Sequence, residues 1–224
     1  IRQIPTGDKD PYALRRAALG VLRILIEGEI NLELPKLIEA AAAEYEALID
    51  QDGLVERLLD FIMDRLKAYF LDKEIPVDVF AAVMERRPTR PYDFANRVSA
   101  VDNFRHLPEA ASLAASNKRI QNILKQCEDT LPDNVNDTLF TEDAEWNLAA
   151  KLVGLSPRVR EMLSTGDYAQ AMTILAGLRE AIDQFFNTVK VMVDDDGIRK
   201  NRLALLNNIG LLFLATADIS QLQG

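Results

Sequence analysis

DYAQAMTILAGLREAIDQFFNTVKVMV, residues 167–193, decides the fold class. Tyr168, Ala171, Leu175, Leu178, Ile182, Phe185, Phe186 and Val189 recur at steps of three and four, the spacing that lines one side of a helix. The pattern predicts one amphipathic helix of about seven turns. Asp194, Asp195 and Asp196 follow it, where the free amides of a helix start favour negative charge. A further helix is expected from Gly197 or Ile198 to about Ala217, with Ile209 to Ala217 buried.

Working outward, the same period returns along the rest of the chain. Asp10 and Pro11 can open a helix whose stripe is Leu14, Ala17, Ala18, Val21, Leu22, Leu25 and Ile26, with Gly28 as its stop. Further helices are expected at about 32–48, 54–71 and 76–83, from Pro91 with Phe94, Val98 and Val101 inward, and at 108–126, with a polar loop over 128–138. Pro88 and Pro91 preclude a continuous helix between the third and fourth of these, because each removes an amide donor and restrains its predecessor. A helix at about 141–152 is expected to end before Ser156-Pro157, which opens a separate short helix to Leu163 with the Ser156 hydroxyl as cap. Trp146, Tyr168, Phe94 and Phe104 read as core anchors. No stretch alternates as a strand does. The fold class is all-α, a multi-helix bundle divided into a helical linker or body segment, 1–75, and a second helical domain, 76–224.

Composition narrows the chemistry. The chain has 224 residues with 48% apolar side chains, one cysteine and one histidine. One cysteine excludes an intrachain disulfide and a cysteine-rich zinc site, and one histidine excludes a histidine-rich metal site. No glycine-rich phosphate loop, HExxH, GxSxG or CxxC occurs. Cys127 lies beside Glu128 and Asp129, which disfavour a thiolate. His106 stands alone. The sequence therefore predicts no catalytic residue and no resident metal or cofactor. No run of 18 apolar residues occurs, so a membrane partner is not expected.

The net charge of −9, from 26 basic against 35 acidic residues, argues against a bulk positive field. It hides an uneven distribution. Between residues 86 and 119 seven basic residues (Arg86, Arg87, Arg90, Arg97, Arg105, Lys118 and Arg119) face three acidic ones, leaving +4. Arg199, Lys200 and Arg202 form a second knot. Such guanidinium forks suit phosphate oxygens or base edges. Solvated surface, or helix ion pairs with Asp194 to Asp196, would account for the same residues.

Specific text accompanies these knots. Residues 178–189 (LREAIDQFFNTV), 191–193 (VMV) and 199–206 (RKNRLALL) resemble the C-terminal anticodon-binding region of the bacterial glycyl-tRNA synthetase beta subunit family. Residues 5–16 (PTGDKDPYALRR), 22–25 (LRIL), 65–70 (RLKAYF), 116–120 (SNKRI) and 217–220 (ADIS) resemble the same family in the same order. The resemblance spans almost the whole chain, which looks like the C-terminal third of such a subunit.

The resemblance implies an all-helical domain similar to the anticodon-binding domain of arginyl-tRNA synthetases. It implies a part in a class II ligase, an α2β2 assembly with an alpha subunit, that esterifies tRNA(Gly) with glycine using ATP and Mg2+ in the cytoplasm. The fragment itself would hold no cofactor, would not bind DNA and would be non-catalytic. The candidate tRNA contacts are Asn117, Lys118, Arg119, Arg199, Asn201 and Arg202, which fall in the resembling text, and Arg86, Arg87, Arg90 and Arg97, which rest on charge alone; the signature residues could equally hold the two terminal helices together. A helical scaffold that joins subunits without touching RNA is the rival expectation.

Overall fold

The computed structural model describes residues 10–45, 52–127 and 130–223. The resemblance at residues 5–9, the end of the helix expected at 32–48, and Glu128 and Asp129 in the expected polar loop lie outside the described residues. Among the described residues there are ten α-helices and no strand. They are α1 (Leu14–Glu27), α2 (Leu34–Ala43), α3 (Leu54–Leu71), α4 (Val77–Met84), α5 (Pro91–Arg105), α6 (Ala110–Lys125), α7 (Asp143–Thr165), α8 (Tyr168–Ala176), α9 (Arg179–Thr188) and α10 (Asp196–Leu214). None of these helices is long and apolar enough to cross a membrane.

The all-α expectation holds, with differences at the punctuation. The first helix begins later than Pro11. A 3-10 turn, Pro11–Ala13, precedes it, with Tyr12 and Ala13 at positive φ, and Asp10 instead accepts from the Arg15 amide at 3.0 Å. Gly28 does stop α1. A Cβ there would lie 2.6 Å from the Ile24 carbonyl oxygen, closer than any side chain tolerates.

Pro157 does not start a new helix; α7 runs through it. The amide it lacks would have bonded the Val153 carbonyl. Val153 is 72% exposed, so water can satisfy the freed oxygen. Ser156 does not cap either, since its Oγ donates back to the Leu152 carbonyl at 2.6 Å. The long helix expected over 167–193 is two helices. The Gly177 and Leu178 amides donate three residues back, to Ile174 and Leu175, and this tighter turn separates α8 from α9. Both residues keep right-handed helical dihedrals, so the apolar period passes through the break undisturbed. From Val189, whose backbone is extended, the chain leaves the helix.

Two apolar clusters form the interior. The first joins Leu22, Leu25, Leu34, Leu66, Phe70, Phe80, Phe94, Val98 and Val101 with Ala217 from far along the chain. Its rings interlock, Phe94 lying 5.5 Å from Phe70 and 5.4 Å from Phe80 between centroids. The second gathers α6 to α10 around Leu113, Ile120, Leu148, Leu175, Leu178, Phe185, Leu206 and Phe213. Phe94, Phe104 and Tyr168 are buried as expected. Trp146 is not: half of it is exposed, because it lies on the side of α7 away from buried Ala144 and Leu148.

Candidate nucleic-acid interface

Side chains from four elements are drawn to one end of the second cluster by the start of α10. Asp195 caps that helix, accepting from the Ile198 amide at 2.9 Å. Two turns on, Arg202 points inward with its side chain 5% exposed, against Glu145 with none. Its Nε donates to Glu145 Oε1 at 2.9 Å and its Nη2 to Oε2 at 3.1 Å. Nη1 and Nη2 also donate to the Lys190 carbonyl and the Thr141 hydroxyl. Burial pushes the Glu145 carboxyl up, but the Arg202 guanidinium and the Thr141 and Glu142 amides outweigh it and hold it below its ordinary value. A buried pair of this kind is tolerable only because both forks are filled.

Asn201 is equally engaged. Its amide group closes a ring with the Asn136 backbone, accepting from N at 2.7 Å and donating to O at 2.9 Å. Arg199 turns back on the preceding segment, donating to the Val193 carbonyl and pairing with Asp196. Asp196 also takes Lys200 at 2.9 Å. These contacts, Lys200 first, depress the Asp196 carboxyl. The second basic knot is thus spent within the fold.

The first knot divides. Arg97 sits between α5, α8 and the end of α10. It pairs with Asp93 at 2.7 Å, donates to the Ala215 and Thr216 carbonyls, and donates to the Tyr168 hydroxyl at 2.8 Å. It satisfies the orphan carbonyls at the α10 terminus. Burial, then the bond to Asp93, pushes the Tyr168 hydroxyl up to about 12. Arg90 is bound to Glu33 by two of its nitrogens, which lowers the Glu33 carboxyl. Arg86, exposed, lines a cleft of about 160 Å3 with Arg90, Arg97 and Asp93. Arg87 is exposed and lines a neighbouring, larger groove with Asp64, Lys67 and Glu85.

Helix α6 behaves otherwise. It is the only one of the ten helices with basic residues and no acidic one. Lys118 and Arg119 are exposed on it, while Asn117 is buried against α10. There Gly210 allows the close approach: a Cβ on it would stand 3.6 Å from Ile120 and 3.9 Å from Asn117 Oδ1. No carboxylate among the described residues is seen to pair with Lys118 or Arg119. The Arg119 guanidinium instead lies 4.2 Å over the ring of Phe186 on α9. Phe186 was missed by sequence reasoning, which assigned it only to the apolar stripe. The absence of acidic residues between 110 and 127 was the legible signal.

Of the ten expected contact residues, the fold therefore brings Arg86, Arg90 and Arg97 to one cleft and leaves Lys118 and Arg119 exposed together elsewhere. It buries Asn117, Asn201 and Arg202. Among the described residues no cluster of three or more histidine, cysteine or carboxylate side chains is arranged to hold a metal ion.

Two family profiles match this chain. Residues 113–217 match the DALR anticodon binding domain and residues 1–85 match the glycyl-tRNA synthetase beta subunit. The beta subunit of glycine–tRNA ligase from Shewanella baltica is 50% identical over 223 residues. The corresponding subunit from Shewanella oneidensis is 51% identical over the same length. The chain belongs to the glycyl-tRNA synthetase beta-subunit family. It is covered completely in both comparisons but spans 32% of the length of each relative. The anticodon-binding match begins within α6 and ends at Ala217. It thus takes in Lys118, Arg119 and Phe186 together with the buried Arg202–Glu145 pair.

Proposed function

We propose that this chain is the tRNA-recognition portion of a glycine–tRNA ligase beta subunit, the enzyme that esterifies tRNA(Gly) with glycine using ATP. One observation carries the reading. The region matching an anticodon-binding domain contains the only one of the ten described helices with cations and no carboxylates, and Lys118 and Arg119 stand exposed on it. Phosphate contacts by such residues position an RNA, while base contacts specify it. In this reading residues 76–224 contact tRNA, and residues 1–75 connect them to the rest of the subunit. Catalysis, with ATP and Mg2+, belongs to an alpha subunit in an α2β2 class II enzyme of the cytoplasm. Arg86 and Arg87 supply backbone contacts. Arg199, Asn201 and Arg202 act as positioning residues that shape the α7–α10 end, Asn201 and Arg202 from within the fold and Arg199 from its surface.

A salt series of tRNA(Gly) binding by the 224-residue chain tests this. Replacing Lys118 and Arg119 with alanine is expected to lower affinity at 50 mM salt and to flatten the dependence of log K on log salt by about one to two units. Affinity and slope equal to those of the unaltered chain would overturn it. The burial of Arg202, Asn201 and Asn117 favours a second reading, a helical scaffold that joins subunits. A chain that retains the alpha subunit in a pull-down yet leaves tRNA free would establish that one.

A further inference from the structure

Arg119 and Phe186 come from different helices, and their meeting is braced on both sides. Ser112 on α6 donates to Asp183 Oδ1 on α9 at 2.9 Å, one turn before Phe186. The second Asp183 oxygen is taken by Arg179 at 3.2 Å. The nearby carboxylate on α9 is therefore occupied by residues other than Arg119. The Phe186 ring meets the fully buried Phe185 edge-on, with centroids 5.7 Å apart at 78°. The guanidinium carbon stands 4.2 Å from the centre of a ring anchored in the core, and Arg119 itself is exposed. Asn122, one turn along α6 from Arg119, and Asn187, next in the chain after Phe186, are both exposed.

We propose that the Arg119–Phe186 pair is a stacking platform for one unpaired RNA base, with Asn122 and Asn187 placed to meet that base's edge. This rests on the tRNA-recognition reading and adds a specific site to it. A phosphate contact would need neither the ring nor the planar guanidinium, and Lys118 next door already supplies a point charge. A planar cation over an aromatic ring suits a π face. Bases that are splayed from a loop are recognised on such surfaces, whereas bases inside a helix are not available to them. The asparagine amides can both donate to and accept from a base edge.

The test uses the 224-residue chain with two RNAs, a hairpin carrying the anticodon stem and loop of tRNA(Gly) and a fully paired duplex of equal length. Arg119→Lys keeps the charge and loses the plane. Phe186→Leu keeps an apolar side chain and loses the ring, with its folding checked by circular dichroism. Each is expected to weaken hairpin binding about tenfold or more, with the salt slope and duplex binding unchanged. Lys118→Ala is expected to lower the slope for both RNAs. If Arg119→Lys binds the hairpin as tightly as the unaltered chain while Lys118→Ala still lowers the slope, the platform is wrong and the tRNA reading stands. Equal losses on hairpin and duplex also overturn the platform. If the unaltered chain binds neither RNA at 50 mM salt, both fall.

Discussion

The start of α10 and the outer side of α6 carry similar text, RKNR at 199–202 and NKR at 117–119, and use it in opposite ways. On α10 the cations meet Asp196, Glu145 and backbone carbonyls, Arg202 inside the fold and Arg199 and Lys200 at its half-exposed edge. On α6 no acidic residue lies on the helix, and Lys118 and Arg119 remain outside. What separates them is the supply of nearby carboxylates, not the density of positive charge. A basic run preceded by three aspartates satisfies itself first. A basic run on an acid-free helix finds no carboxylate of its own to meet.

Arg202→Ala breaks this contrast most severely. It strands the Glu145 carboxylate in the interior, and chemical unfolding is expected to show a loss of about 3–5 kcal/mol. A loss below 1 kcal/mol would mean that Arg202 is not the partner that the α7 carboxylate depends on. Acid acts on the same pair more gently. Because the folded Glu145 carboxyl is held below its ordinary value of 4.5, it contributes stability above that pH, which is lost as pH falls through the folded value. Unfolding free energy measured from pH 6 to 3 should therefore fall more steeply for the unaltered chain than for Glu145→Gln. Parallel curves would remove that carboxylate from the acid response. The smallest effect belongs to α6. Alanine at both Lys118 and Arg119 is expected to shift stability by no more than about 0.5 kcal/mol, as read by thermal melting. A large shift would place those side chains among the structural contacts.

The same supply of partners explains what the sequence made legible. Helix existence was readable almost throughout, since periodicity depends on one side of each helix meeting the core. Stops at Gly28 and at Pro88 to Pro91 were readable because they follow from backbone chemistry alone. The passage of α7 through Pro157 was not, since it depends on the exposure of Val153, a tertiary property. Nor was the break at Gly177, where helical dihedrals preserve the apolar period across the turn. At the candidate site, residue type marked the cations but not their fate. Glu145 is 57 residues from Arg202 in sequence, and nothing local to either announces the pairing. Trp146 shows the reverse error, a large aromatic ring assigned to the interior that stands half in solvent against Phe140.

Ala217 and Asp218 give the fold a temporal order. Ala217 is fully buried within the cluster built by α1 to α5, and the Asp218 amide donates to the Ala82 carbonyl at 2.8 Å. Gln121 grips the Asp218 side chain at 2.6 Å from α6. During synthesis the first five helices leave the ribosome long before the residues that finish their core. That core therefore stays open at one seam until α6 to α10 have followed. Closure through such distant contacts is slow compared with the formation of individual helices. Until residues 217 and 218 have been made, α1 to α5 are an array of helices whose shared core lacks its last contact.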